Sequence, residues 1–247
     1  MKALRPLAVA FGFLSLLPVG NRPVDEAELG RALGWFPAVG FVFGLTLASV
    51  ARGVHERFPA SLLAVGLVAL LALLSGGLHL DGLADVFDGL GGGRGERERM
   101  LVIMRDSHIG AHGAAALVLL LLTKATAVYE LLRAHAIWGL LCAPVVARWA
   151  AVPLVIFFPY ARPHGLGRAM AVHGRARDLV LATVVAAACV AWVGVRVFVP
   201  TASALAIAVG LAFLMRRRLG GLTGDVYGAA IELAEVAFFV AVSVCPA

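Results

Sequence analysis

Seven stretches of this 247-residue chain are apolar over lengths that suit a membrane crossing: 33–50, 60–78, 112–131, 137–158, 179–197, 201–215 and 226–244. A bilayer's hydrocarbon core is about 30 Å thick and takes about 20 apolar residues to cross as a helix. Inside it every backbone polar group must be satisfied within the protein, which helices achieve segment by segment. With 61% of residues hydrophobic, the chain has more apolar surface than a soluble domain of this size can bury. The expectation is an all-α, polytopic membrane protein with six to seven transmembrane helices. An eighth apolar stretch, Leu7 to Leu17, follows Lys2 and Arg5 like a signal peptide. No small-x-small cleavage site comes before Pro18-Val19-Gly20-Asn21, so residues 4–20 are expected to re-enter the membrane or lie on it. Without an internal repeat or low-complexity linker, residues 1–247 read as a single domain.

Charge then orients the helices. The formal net charge is +6, and its positive side is almost wholly arginine, Lys2 and Lys124 being the only lysines. In a soluble protein such a balance suggests nucleic acid. Here the arginines sit in short loops between apolar runs, which points to positive-inside topology and anionic substrates instead. Loops after the second, fourth and sixth stretches carry Arg94, Arg97, Arg99, Arg105, Arg162, Arg168, Arg175, Arg177, Arg216, Arg217 and Arg218. The other loops carry only Arg52, Arg57, Arg133 and Arg196. The first set is therefore expected in the cytoplasm. Cys142, Cys189 and Cys245 are too scattered for a metal site or a disulfide framework, and read as packing residues.

Carboxylates are expensive beside lipid, yet this chain concentrates them. Gly76 to Gly89 reads GGLHLDGLADVFDG, placing Asp81, Asp85 and Asp88 at i, i+4 and i+7. On a helix they form one stripe, where like charges repel and raise one another's pKa values. A hard divalent cation, Mg²⁺ or Mn²⁺, removes that penalty and suits carboxylate oxygens and phosphate substrates. The bland alternative is a solvated acidic helix end, but Leu80, Leu83, Ala84, Val86 and Phe87 are a poor solvated face.

A second acidic motif, Gly220-Gly221-Leu222-Thr223-Gly224-Asp225, is followed by Glu232 and Glu235. Helical spacing puts Asp225, Gly228, Glu232 and Glu235 on one face. The two glutamates have a structural alternative, pairing with Lys124 or Arg148 inside the membrane. Between the acidic motifs lie two basic loops, Met104-Arg105-Asp106-Ser107-His108-Ile109-Gly110 and Tyr160-Ala161-Arg162-Pro163-His164-Gly165. Arg105 and Arg162 are candidates for phosphate oxygens, and Ser107, Gly110, Gly165 and Thr223 for backbone or hydroxyl contacts beside them. Arg94, Arg97 and Arg99 are equally well explained as flanking charge. His79 is one step off the aspartate pattern, an acid–base candidate that packing accounts for as easily. All these motifs fall on the predicted cytoplasmic face.

The chain resembles the adenosylcobinamide-GDP ribazoletransferase (cobalamin synthase) family. The resemblance rests on four motifs in family order: GGLHLDGLADVFDG at 76–89, IMRDSHIG at 103–110, YARPHGLG at 160–167 and GGLTGDVYGAAIE at 220–232. Val86-Phe87 is bulkier than the small pair expected between Asp85 and Asp88. The resemblance implies the joining of adenosylcobinamide-GDP to α-ribazole or its 5′-phosphate, with GMP released, in the inner (cytoplasmic) membrane of a prokaryote. It implies Asp81, Asp85 and Asp88 as metal ligands, Asp81, Asp85, Asp225 and Glu232 as catalytic groups, and Arg105 and Arg162 as phosphate contacts. It leaves room for a complex with other cobalamin-assembly enzymes. On the residues alone, a CDP-alcohol phosphotransferase, a prenyltransferase and a cation transporter compete. The first spaces its opening aspartates Asp-x-x-Asp-Gly, unlike Asp81-x-x-x-Asp85. The prenyltransferase's first motif is usually longer and opens Asn-Asp. A transporter would set its acids near mid-membrane rather than at span edges.

Overall fold

The structure, a computed structural model, describes residues 4–16 and 23–244. Pro18, Asn21 and Cys245 lie outside the described residues. The helices are α1 Arg5–Leu14, α2 Glu26–Ala32, α3 Phe36–Val54, α4 Ala60–Leu74, α5 Leu78–Gly92, α6 Arg97–Ile103, α7 Ala111–Arg133, α8 Ile137–Phe157, α9 Leu166–His173, α10 Ala176–Val190, α11 Phe198–Leu219 and α12 Gly224–Val244. Short 3-10 turns at Leu33–Trp35 and Ala191–Val197 join α2 to α3 and α10 to α11.

Among the described residues, five helical stretches are long and apolar enough to cross a membrane, and α4 with α5 makes a sixth only if the pair is counted as one span across its 91° bend. One of the five, Ala176–Leu219, runs 44 residues. At 1.5 Å per residue that is about 66 Å, twice a bilayer core. The chain breaks there at Gly194, whose φ of 70° and ψ of −144° are not helical. Near the start of this stretch Leu181 packs on Gly34, just before α3; at its end the carbonyl of Leu219 accepts a hydrogen bond from Arg97. Phe36, at the start of α3, and the segment that Arg97 ties down both border the same cleft, described below. Thus α10 and α11 are two arms running in opposite directions. Counted this way, α3, α4, α7, α8, α10, α11 and α12 follow the seven apolar runs in order. α4 and α10 are only 15 residues each, shorter than the runs they come from.

The sequence explains why α4 stops early. The N–H of Gly77 donates to the carbonyl of Ala72 (2.9 Å), and that of Gly76 to Leu73 (3.0 Å). This is a Schellman closure, and both glycines have the positive φ that it needs, 63° and 73°. α5 then leaves at a right angle, along the end of the bundle instead of continuing the crossing. Glycines also set the tightest helix pair. Gly40 and Gly44, one turn apart on α3, face the backbone of Leu141, Pro144 and Val145 on α8 with no room for a Cβ. Small residues at this spacing let membrane helices approach closely.

α1 is about 15 Å long, too short to cross. Its Arg5 pairs with Glu28 (2.7 Å) and donates to the carbonyl of Pro23 (2.8 Å), while Phe13 stacks on Phe36 at 6.1 Å. It packs on the bundle as part of a wall, and Leu16 hydrogen-bonds back to Leu74 at the end of α4.

Candidate active site

Close backbone approach brings the two acidic motifs together. A Cβ on Gly82 of α5 would lie 2.7 Å from the carbonyl oxygen of Asp225, and one on Gly228 would lie 3.3 Å from the Cα of His79. α5 therefore crosses the first turns of α12 with almost nothing between them. Asp81 and Asp225 consequently line the same cleft. A third segment is fastened to this crossing. The N–H of Leu222 donates to Pro159, and that of Ala161 to Leu222, both at 2.8 Å, in a single parallel bridge. Arg162 follows directly, with one guanidinium nitrogen 2.7 Å from a carboxylate oxygen of Asp225 and 3.2 Å from the Met104 carbonyl. Thr223 is fully buried behind them. Its hydroxyl donates to Asp225 (3.2 Å) and accepts from the N–H of Val226 (3.4 Å), holding the first turn of α12.

The resulting cleft has a volume of about 260 Å³. Asp81, Tyr160, Arg162, His164 and Asp225 give it a polar side, with Gly165 at the start of α9. Phe13, Leu14, Phe36, Val155, Met170 and Ile231 give it an apolar side, and His79 and Tyr227 also line it. Asp85 stands half-buried one turn beyond Asp81. Burial, with the charges of Asp225 and Asp81 beside it, pushes its carboxyl up to about 7. The cluster thus holds more negative charge than Arg162 offsets.

Asp88 differs from its two neighbours. Its oxygens accept the N–H groups of Gly110 (2.7 Å) and Gly113 (2.8 Å), the free amides at the start of α7. Helix N-termini attract such a carboxylate, and here it comes from another helix. Asp88, expected as a metal ligand, thus fastens α7 to α5, and the Gly110 N–H, expected at the substrate, is engaged in that anchor. Arg105 and Ser107 are exposed on the same 104–110 loop and do not line the cleft. Asp106 shapes this loop, accepting from the backbone of His108 (3.0 Å) and pairing with its ring (2.7 Å).

Glu232 is not brought to the cleft. Its carboxylate meets Lys124 of α7 at 2.5 Å, and Glu235 meets the same ammonium at 2.8 Å. The other oxygen of Glu235 pairs with Arg148 of α8, whose guanidinium lies 5.1 Å from the Phe43 ring centroid. All four charged groups are at most 3% exposed. With its charge taken up by Lys124, Glu232, expected among the catalytic groups, ties α12 to α7 and does not line the cleft. This was the structural alternative for both glutamates. Arg97 is likewise more than flanking charge: it donates to the carbonyls of Leu219 (2.7 Å) and Ala161 (3.2 Å), clamping α11 to the segment that carries Arg162. Neither spacing nor composition singles it out. Tyr160 and Tyr227, ring centroids 6.3 Å apart, were also not distinguished by spacing.

Among the described residues, no three acidic, histidine or cysteine side chains converge closely enough to enclose a metal ion alone. The carboxylates at or beside the cleft are Asp81, Asp85 and Asp225.

No solved structure matches this chain. Curated sequences do. It is 43% identical over 238 residues to the adenosylcobinamide-GDP ribazoletransferase of Pseudomonas savastanoi pv. phaseolicola, covering 94% of this chain and 96% of that protein. It is 42% identical over 255 residues to the enzyme of the same name from Pseudomonas paraeruginosa, covering 98% and 99%. The family model for cobalamin-5-phosphate synthase matches residues 6–243. Both acidic motifs, both basic loops and the wall formed by α1 fall within that match, and the chain belongs to the cobalamin-5-phosphate synthase family.

Proposed function

We propose that this protein joins adenosylcobinamide-GDP to α-ribazole or its 5′-phosphate, releasing GMP, as a divalent-metal-dependent phosphotransferase. Its product is adenosylcobalamin or adenosylcobalamin 5′-phosphate. The active face is the basic one, cytoplasmic in the inner membrane of a prokaryote, because the arginine-rich loops cluster there. Family membership supplies the reaction. The observation that carries the site is the meeting of Asp81, Asp225 and Arg162 in one cleft at that end of the bundle.

In this reaction a ribose hydroxyl oxygen bonds to the phosphorus next to the cobinamide. The bond from that phosphorus to the bridging oxygen breaks, and GMP leaves with the electron pair. The hydroxyl proton passes to a carboxylate of the cleft, where Asp225 and Asp81 are within the lining. Catalysis of such a transfer is mainly positioning and charge neutralisation. Arg162 would exchange part of its contact with Asp225 for a non-bridging phosphate oxygen, matching a guanidinium to phosphate. Thr223 keeps the Asp225 side chain in place meanwhile.

The donor set suits a hard cation: oxygen atoms only, on three carboxylates close enough that burial first, and then the charges of Asp225 and Asp81, raise the Asp85 carboxyl. Since no three metal-binding side chains converge among the described residues, one or two carboxylates from Asp81, Asp85 and Asp225 would hold the ion together with water and substrate phosphate, the usual habit of Mg²⁺. Bound there, Mg²⁺ or Mn²⁺ supplies neutralisation of the charge on the transferring phosphoryl group. The test is GMP release from purified, detergent-solubilised protein given both substrates and Mg²⁺. GMP should require both substrates, disappear with EDTA and return with Mg²⁺. Absence of GMP overturns the reaction, and full turnover in EDTA overturns the metal. Orientation is read separately, with Ser107→Cys in a background lacking Cys142, Cys189 and Cys245. Labelling of intact cells by an impermeant thiol reagent would reverse the assigned topology.

A further inference from the structure

We propose that the apolar side of the cleft is the subsite for the base of the riboside substrate, and that the Tyr227 hydroxyl, with His79 beside it as a second polar wall, donates to that base's single free ring nitrogen. This rests on the reaction proposed above and assigns the cleft to one of its two substrates. Size is the first reason. About 260 Å³ lies just under the range of cavities that enclose drug-sized ligands, roughly 300–1,000 Å³. That suits a nucleoside and excludes a corrin macrocycle, which must stay at the mouth.

Chemistry separates the candidate bases. Guanine presents acceptors and donors on several edges, N7, O6 and N2 among them. Against Phe13, Phe36, Val155, Met170 and Ile231 those groups would be buried unpaired, at a cost of about 1–3 kcal/mol each. The benzimidazole of α-ribazole, by contrast, is flat and apolar, with one nitrogen left once the glycosidic bond is made.

The structure supplies polar groups for just such a ring. His79 is 2% exposed and Tyr227 7% exposed, and both line the cleft. Neither ring nitrogen of His79 nor the hydroxyl of Tyr227 has a hydrogen-bond partner among the described residues. Buried polar groups are nearly always partnered, so two unpartnered ones in one apolar recess mark where a ligand atom comes. A base held by His79 and Tyr227 leaves its ribose in the cleft that Asp81, Arg162 and Asp225 also line.

The experiment measures KM for each substrate separately with wild type, Tyr227→Phe and His79→Asn, alongside equilibrium binding of α-ribazole to detergent-solubilised protein without the corrinoid. Tyr227→Phe should weaken α-ribazole binding and raise its KM roughly three- to tenfold, the value of one hydrogen bond, and His79→Asn should weaken it in the same direction by less. KM for adenosylcobinamide-GDP should stay within about twofold of wild type, and guanosine should not displace α-ribazole. Guanosine competing as well as α-ribazole would overturn the assignment, as would variants that raise the corrinoid KM instead or affect both equally. If a variant fails to fold, Met170→Trp, which narrows the apolar side while leaving both polar groups, should show the same split. Absence of GMP with wild type counts against the reaction; α-ribazole binding unchanged by Tyr227→Phe counts against the subsite.

Discussion

Asp225 and Glu232 occupy one face of α12, two turns and about 10 Å apart, and the structure gives them opposite work. Asp225 opens onto a cleft, beside an arginine that a phosphate can take over. Glu232 is sealed in the bundle against Lys124, with Glu235 and Arg148 completing a neutral group of four. An acid in a membrane bundle is structural when its counter-charge is sealed in with it. It is open to chemistry when its counter-charge lines a cleft, where a phosphate can compete for the same cation.

The largest expected effect breaks the sealed group. Glu235→Gln or Lys124→Met leaves a buried charge without its partner, which costs about 3–5 kcal/mol. Thermal unfolding in detergent should shift down sharply, with activity falling only as the fold does. Adding Glu232→Gln to Lys124→Met restores neutrality and should recover part of the loss; no recovery would mean the group is not held together by charge balance.

Next come the cleft carboxylates. Asp81→Asn and Asp225→Asn should each cut GMP release by about 10²–10³, the scale of removing one well-placed charge-stabilising group, while melting stays near wild type. If both act in one unit, the double variant should be little worse than either single. Losses that multiply would assign them separate roles.

Asp88→Asn lies between the two classes. It weakens two charge-assisted hydrogen bonds to the start of α7, so about 1.5–3 kcal/mol of stability should go with a partial fall in turnover. Turnover lost at unchanged stability would return Asp88 to the metal site. The smallest effects separate the arginines. Arg97→Ala should lower stability by about 1 kcal/mol through its two carbonyl contacts, whereas Arg99→Ala on the exposed side of α6 should change neither stability nor turnover measurably.

The same contrast shows how far the sequence could be read. Apolar runs gave the helices in order, because lipid enforces a minimum length and a closed hydrogen-bond pattern on any crossing. Arginine placement brought Asp81, Arg162 and Asp225 to one end of the bundle, because charge cannot easily cross. The helical period correctly put Asp225, Gly228, Glu232 and Glu235 on one face. Periodicity carries no information about depth or partner, however, and so could not separate Glu232 from Asp225. Lys124 and Arg148 stand as cations well inside apolar runs, which keeps pairing with the glutamates open from the sequence alone. Arg97 was not separable from its neighbours, since its targets are backbone carbonyls remote in sequence. Asp88 matched the spacing of Asp81 and Asp85, yet the helix start that occupies it arrives only with tertiary packing. Phe13 and Leu14, in a stretch that resembles a signal peptide and reads as re-entrant or interfacial, wall the cleft.

One measurement tests the division of labour most directly: GMP release and thermal unfolding recorded side by side for Asp225→Asn and Glu232→Gln, two substitutions of the same kind on the same helix. The account predicts that Asp225→Asn melts like wild type and releases almost no GMP. It predicts that Glu232→Gln melts at a clearly lower temperature and, while still folded, turns over at a rate close to wild type. A stable Glu232→Gln protein without activity, or an Asp225→Asn protein with normal GMP release, would contradict it.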